Sequence, residues 1–219
     1  MKEAVIILIP AYNPEKELVE IVKELQPTKI IVVNDGSENK QYFEKIKPYC
    51  EIISNEKNMG KGVALKKGFS YIIKKYPNIH GVVTADADGQ HLVKDIKNVK
   101  QVLEKTENKI VLGTRNFREK QVPIINKIGN IFINYVFDRK TKVKIRDTQT
   151  GLRGIPTKYL NEIIKIPGER YEYEINQLKF FAENVEIVQV KIATVYSKKI
   201  KSSFKRIKDS IKVLKAIIK

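Results

Sequence analysis

Gly81-Val82-Val83-Thr84-Ala85-Asp86-Ala87-Asp88-Gly89-Gln90-His91 is an apolar run that ends in two carboxylates and an amide. The run reads as a short buried strand. Past its end the strict alternation of side chains lapses, so Asp86, Asp88 and the Gln90 amide oxygen can converge above the strand terminus. Hard oxygen donors of this kind suit Mg²⁺ or Mn²⁺ shared with phosphate oxygens. The plainer account of the same acids is that they complement a helix N-terminus.

On both sides of this stretch, strands and helices alternate. Ala4–Ile9 is continuously apolar and is broken by Pro10-Ala11-Tyr12-Asn13-Pro14. Ile30–Val33 is a second buried-type strand, Glu51–Ser54 a third and Ile110–Gly113 a fifth. Between them the apolar spacing predicts helices at Glu15–Leu25, Tyr42–Ile46, Gly62–Lys75 and Val93–Lys105. Unbroken apolar strands alternating with helices imply a mainly parallel sheet with helices on both faces. Ligands of such sheets lie beyond the carboxyl ends of the strands. Four polar clusters fall at such ends: Tyr12-Asn13, Asp35-Gly36-Ser37, Asp86–His91 and Thr114-Arg115. The second half is less regular. It reads as a helix at Pro123–Phe137, a polar turn at Asp147–Arg153, a helix at Glu169–Glu183 and a strand at Val185–Val190.

Read singly, the clusters allow more than one role. The Asp35 carboxylate can accept a hydrogen bond from a nucleobase or ribose, or bind the backbone of its own turn. Asn58-Met59-Gly60-Lys61-Gly62 lacks the spacing of a nucleotide-hydrolase phosphate loop, yet its glycines permit close backbone approach and Lys61 can reach a phosphate. A solvated Lys61 in an ordinary loop is the alternative. Arg115 and Arg118 carry guanidinium groups suited to gripping phosphate, and Lys127 and Arg139 are weaker candidates. Asp147 and Arg153 can form a structural pair, or Asp147 can orient or deprotonate an acceptor while Arg153 binds phosphate. Glu172 and Glu174 are further candidate bases.

Six motifs occur in order: Pro10-Ala11-Tyr12-Asn13, Val33-Asn34-Asp35-Gly36-Ser37, Asn58-Met59-Gly60-Lys61-Gly62, Asp86-Ala87-Asp88-Gly89-Gln90-His91, Gly113-Thr114-Arg115 and Asp147-Thr148-Gln149-Thr150-Gly151-Leu152-Arg153. Together they resemble family 2 glycosyltransferases, most of all the dolichyl- and polyprenyl-phosphate sugar transferases, over about residues 4–195. The resemblance implies a single α/β domain of GT-A (Rossmann-like) fold spanning 1–196 and an inverting, metal-dependent transfer. It implies a donor site for a UDP- or GDP-sugar at Pro10, Ala11, Tyr12, Asn13, Asp35, Lys61, Asp86 and Ala87. Mg²⁺ or Mn²⁺ would be held by Asp86, Asp88 and Gln90. The lipid phosphate acceptor would be gripped by Arg115, Arg118 and Arg153, and the catalytic residues would be Asp147, Asp88 and Arg115. The family usually has two acids where this chain has Asn34-Asp35, and Ser where it has Thr114. His91 is read as a supporting or structural group.

The 219 residues carry 42 Lys and Arg against 25 Asp and Glu, a net charge of +17. Such a chain favours anionic partners. A nucleic-acid partner is the rival from charge alone, but no recognised nucleic-acid motif is present. The single cysteine, Cys50, excludes an internal disulfide and fits a reducing cytoplasm. The Ala4–Ile9 run is short and ends in Pro10, a poor signal peptide. Residues 197–219 carry nine Lys or Arg and one acid, Asp209, with Ile200, Phe204, Ile207, Ile211, Leu214 and Ile218 at helical spacing. This tail is expected to form a basic amphipathic helix, lying on the inner face of an anionic cell membrane or packed on the domain. Many relatives continue into membrane-spanning segments, so a membrane-protein partner is a further expectation.

Overall fold

The computed structural model describes residues 4–117, 124–195 and 217; side chains of residues 124–129 are not described. β1 (Val5–Ala11), β2 (Ile30–Asp35), β3 (Glu51–Asn55), β4 (Gly81–Thr84), β5 (Ile110–Arg115), β6 (Arg153–Pro156) and β7 (Ile187–Ile192) form one sheet in the order β3-β2-β1-β4-β6-β5-β7. β1 pairs in parallel with β2 and β4, β2 with β3, and β5 with β7. β6 alone runs antiparallel, between β4 and β5. Six strands therefore present their carboxyl ends along one edge, where β6 begins.

The unbroken apolar run of β1 is explained by burial on both faces. Ile6 and Leu8 point into one apolar layer, with Phe69 and Ile72 of α3 (Lys61–Lys75) and Leu178 and Phe181 of α7 (Tyr171–Asn184). Val5, Ile7 and Ile9 point into the other, with Leu18 and Val22 of α1 (Lys16–Glu24), Phe43 of α2 (Gln41–Ile46) and Ile96 and Val99 of α4 (Val93–Leu103). Gly68 lets α3 lie close on the sheet, since a Cβ there would sit 2.4 Å from Leu8 Cδ1. α5 (Ile124–Thr141) and α6 (Leu160–Lys165) complete the first layer through Ile133, Phe137, Leu160 and Ile163.

The structure departs from the sequence reading in two places. Pro10 does not end β1; it pairs with Val33 of β2. Its missing N–H removes no bond to β4, whose register with β1 stops at Leu8. The polar turn at Asp147–Arg153 leads directly into β6, which was not expected, and α6 follows it. The tail lies outside the described residues except for Ile217, which is buried within the first apolar layer.

Candidate active site

The ends of β1 and β2 are tied together. The Asn13 amide donates to Ser37 Oγ at 2.9 Å, and Asn13 Oδ1 accepts from the Glu38 amide at 3.2 Å. Asn34 Oδ1 accepts from the Ser37 amide at 2.8 Å. Ala11 is buried beneath this junction, while Tyr12 is 50% exposed and presents an open ring face at the edge. Asp35 is buried. Its Oδ1 accepts from Asn55 Nδ2 at 2.8 Å and the Met59 amide at 3.0 Å, and its Oδ2 from the Gly60 amide at 2.8 Å. Its carboxylate thus anchors the Asn58–Gly62 loop at the start of α3, a neighbouring turn and not its own. Gly60 there has φ +100°, a conformation that favours glycine.

Lys61 opens α3, and its side chain is mostly buried, 19% exposed. Its Nζ lies 2.6 Å from Asp86 Oδ1 and 2.9 Å from Glu174 Oε2 of α7. Burial alone would lower its pKa, but the two carboxylates reverse this and keep it well above its ordinary value. Burial would likewise raise Asp86; the Lys61 ammonium outweighs it, with smaller help from His91 and Arg115, and holds the carboxyl well below the usual range. Backbone fit supports the pair. A Cβ on Gly151 would meet Asp86 Oδ2 at 2.7 Å and Lys61 Nζ at 3.0 Å. Thr84 Oγ1 holds Gly151 in place by donating to its carbonyl at 2.8 Å. His91 Nδ1 accepts from the Asp86 amide at 3.1 Å, and its Nε2 is 3.8 Å from Asp86 Oδ2. Burial pushes the imidazole below its ordinary pKa, against the opposing pull of the Asp86 carboxylate.

Asp88 is exposed. Its Oδ1 accepts from the Gln90 amide at 3.0 Å and its Oδ2 from Gln90 Nε2 at 2.6 Å. The three side chains expected to hold a metal are thus engaged with protein partners. Asp86 is committed to Lys61, and Gln90 turns its nitrogen to Asp88 and so steadies that carboxylate. Ala87 between them packs against the second apolar layer. Among the described residues no group of three or more His, Cys, Asp or Glu side chains could hold a metal. One or two carboxylates completed by substrate phosphates and water is an ordinary way to hold Mg²⁺. An exposed, pre-oriented Asp88 fits that form, and a protein-only cage is not present among the described residues.

At the end of β5, Arg115 Nε lies 2.7 Å and Nη2 3.1 Å from the two oxygens of Asp147. The Arg115 amide and the Gln149 amide also donate to Asp147, each at 3.2 Å. The Arg115 guanidinium stacks on Phe117 at 5.2 Å. Asp147 is fully buried, its carboxylate accepts all four of these bonds, and it positions Arg115. Arg153 does not pair with it and does not face an acceptor. Being on β6, in the middle of the sheet, it is 1% exposed and donates to the Thr150 and Glu174 carbonyls and to Gln177 Oε1 at 2.9, 2.6 and 2.9 Å. Its Nη2 is buried without a partner. Arg118 lies outside the described residues, as does the Lys127 side chain. Arg139 is bonded to Tyr135 Oη at 3.1 Å. Glu172 accepts from the Glu169 and Arg170 amides at 3.0 and 3.1 Å and so caps α7.

Two participants escaped the sequence reading. Glu174 stood there only as a candidate base and not as the partner of Lys61. Asn134 of α5 was not singled out. It donates to the Arg146 carbonyl at 2.7 Å and accepts from the Thr148 amide and hydroxyl at 3.1 and 2.8 Å, fixing the turn that carries Asp147. The available signal was a lone amide directly after Ile131-Phe132-Ile133.

The family model for glycosyl transferase family 2 matches residues 6–164. A protein of Methanocaldococcus jannaschii is 29% identical, with 98% of this chain and 97% of that one covered. The UDP-N-acetylglucosamine–dolichyl-phosphate N-acetylglucosaminyltransferase of Methanococcus voltae is 30% identical, covering 87% and 85%. Among solved structures, glucosyl-3-phosphoglycerate synthase of Mycobacterium tuberculosis, in complex with Mn²⁺, UDP-glucose and phosphoglyceric acid, superposes with a TM-score of 0.76. It is 16% identical, and 99% of this chain and 79% of that one are covered.

Proposed function

The chain belongs to glycosyl transferase family 2 and is a glycosyltransferase of GT-A fold; on that premise we propose that it moves a sugar, with inversion, from a nucleotide-diphosphate sugar to a polyprenyl or dolichyl phosphate at the cytoplasmic membrane face. The donor class is a UDP- or GDP-sugar, and the UDP-sugar used by the methanogen relative supports the former. Tyr12 and the joined ends of β1 and β2 receive the nucleoside, with Asp35 fixing the loop that closes beside it. Asp88, steadied by Gln90, would hold the Mg²⁺ or Mn²⁺. When bound, that cation neutralises the charge that builds on the departing diphosphate. The Lys61–Asp86–Glu174 group fixes the floor of the site. Arg115, aimed by Asp147, meets the acceptor phosphate together with Arg118.

One observation carries the choice of acceptor. Asp147, Asp86 and Glu174 are each held by a cation, at 2.6–2.9 Å. Carboxylates so engaged are poor bases. A sugar hydroxyl needs a base near it, whereas a phosphate monoester is already ionised at neutral pH and attacks without losing a proton. This favours the lipid phosphate over a saccharide or other hydroxyl acceptor. The test incubates the protein with radiolabelled UDP- and GDP-sugars, Mn²⁺ and either polyprenyl phosphate or oligosaccharide. Label entering the organic phase only with lipid phosphate is expected. Label appearing only on the saccharide overturns the reading.

A further inference from the structure

We propose that the outer face of α5, together with the basic segment that follows it, is the surface by which this protein docks on an anionic lipid bilayer. It rests on the lipid-phosphate reading above and assigns that reading a place on the molecule. Ile131, Phe132 and Tyr135 are 51%, 53% and 55% exposed. At 3.6 residues per turn they, with Arg139, share an arc of roughly 100°. Ile133 and Phe137, on the opposite side of the same helix, are buried in the first apolar layer. The helix is thus apolar on its solvent side as well as its core side.

The last turn of α5 and the segment that follows supply charge. Arg139, Lys140, Lys142, Lys144 and Arg146 are all exposed, five cations in eight residues. The acids that bracket them turn inward. Asp138 accepts from the Ile145 amide at 2.9 Å, and Asp147 is buried against Arg115. The segment is anchored, not loose: Gln189 holds the Arg146 amide and the Lys144 carbonyl, each at 2.9 Å, and the Ile145 side chain is buried. Arg139 stacks on Tyr135 at 5.5 Å, an aromatic ring with a cation beside it. Exposed apolar side chains rimmed by Lys and Arg are the composition of an interfacial helix, in which rings enter the headgroup boundary and cations meet anionic lipid. Ile217 is buried in the same layer as Ile133 and Phe137, so at that point the tail faces the domain and not a membrane. Asn134 links this helix to the Asp147 turn, so a docked α5 sets Arg115 beside the bilayer that contains the acceptor.

The test is flotation of the full chain with phosphatidylcholine vesicles, with and without phosphatidylglycerol. The parent is expected to bind only the anionic vesicles. Ile131→Ser/Phe132→Ser and Lys142→Glu/Lys144→Glu are each expected to weaken binding about tenfold or more, from lost apolar burial and from about 1 kcal/mol per surface cation. Lys94→Glu/Lys97→Glu, the same charge change on α4, is expected to weaken it less than about threefold, as a long-range charge effect screened by salt. Unchanged melting temperatures confirm that the variants fold. Absent binding by the parent, parent-like binding by both α5 variants, or an equal loss in the α4 variant overturns the proposal. Transfer to a water-soluble short-chain isoprenyl phosphate separates the two readings. If the parent fails there while vesicle binding follows expectation, the acceptor assignment falls and the docking surface stands.

Discussion

Removing the Asp147 carboxylate separates a positioning group from a base. Asp147→Ala deletes an acceptor of four hydrogen bonds, three of them from Arg115. Breaking a buried ion pair by deleting one partner costs about 3–5 kcal/mol. The Arg115 side chain retains 19% exposure, so partial hydration brings the expectation to the lower end, about 3 kcal/mol. At roughly 2–4 °C per kcal/mol for a chain of this size, the melting temperature falls by about 6–12 °C. Arg115→Met alone leaves the buried carboxylate uncompensated, with a similar cost. The double variant Asp147→Ala/Arg115→Met removes both charges, and a coupling of about 1.5 kcal/mol or more is expected between the two sites. Thermal and urea unfolding of the four proteins measures it. In parallel, kcat for lipid phosphate is followed against pH for the parent and Asp147→Asn. A positioning role predicts lower activity with the shape of the pH profile retained. A folded Asp147→Asn protein of parental stability that has lost the acidic limb of the profile would refute the assignment and restore Asp147 as the base.

Asp88→Asn should abolish Mn²⁺-dependent stabilisation by nucleotide sugar, worth about 2.7 kcal/mol at one hundred times the dissociation constant, and thermal shift with and without Mn²⁺ reads it. Gly151→Ala should drive the new methyl into the Asp86–Lys61 contact and cost about 1–3 kcal/mol in urea unfolding. It should also raise KM for the donor; an unchanged KM and stability would show that the contact yields freely. Glu51 gives a pH signature away from the site. Burial would raise its pKa, but Lys75, Tyr76, Tyr71 and Lys29 outweigh it and hold the carboxyl at about 2, against an ordinary 4.5. Stability from this group is present above about pH 4.5 and is lost as pH falls towards 2. After allowance for solvent screening the effect is at most about 1–2 kcal/mol. Glu51→Gln should flatten the stability curve in that window, and an unaltered slope would count against the cluster.

The parallel strands were legible because burial on both faces leaves unbroken apolar runs, as in Ala4–Ile9 and Ile30–Val33. β6 was not, because Arg153-Gly154-Ile155-Pro156 has one large apolar residue and is a strand only by virtue of neighbours distant in the chain. The same omission misplaced Arg153, which reads as a partner of Asp147 or a phosphate ligand until its strand is put inside the sheet. The edge on which the site sits followed from the strand ends, but the pairing within it did not. Lys61 and Glu174, or Arg115 and Asp147, come together through tertiary packing, and spacing along the chain carries no record of which cation meets which acid. Asp35 shows the same limit: a carboxylate after a strand is visible, whereas its three donors on other segments are not.

The reversed strand also has a consequence for synthesis. Among the described residues the strands paired with β5 are β6 and β7, so it has no sheet partner until residues 153–156 have been made, and β4 keeps one naked margin for the same interval. A growing chain on the ribosome therefore carries three unsatisfied backbone edges, both margins of β5 and one of β4, through the whole of α5. Closure of the molecule waits on four residues, and a lesion there should show as aggregation of nascent protein before it shows as lost turnover.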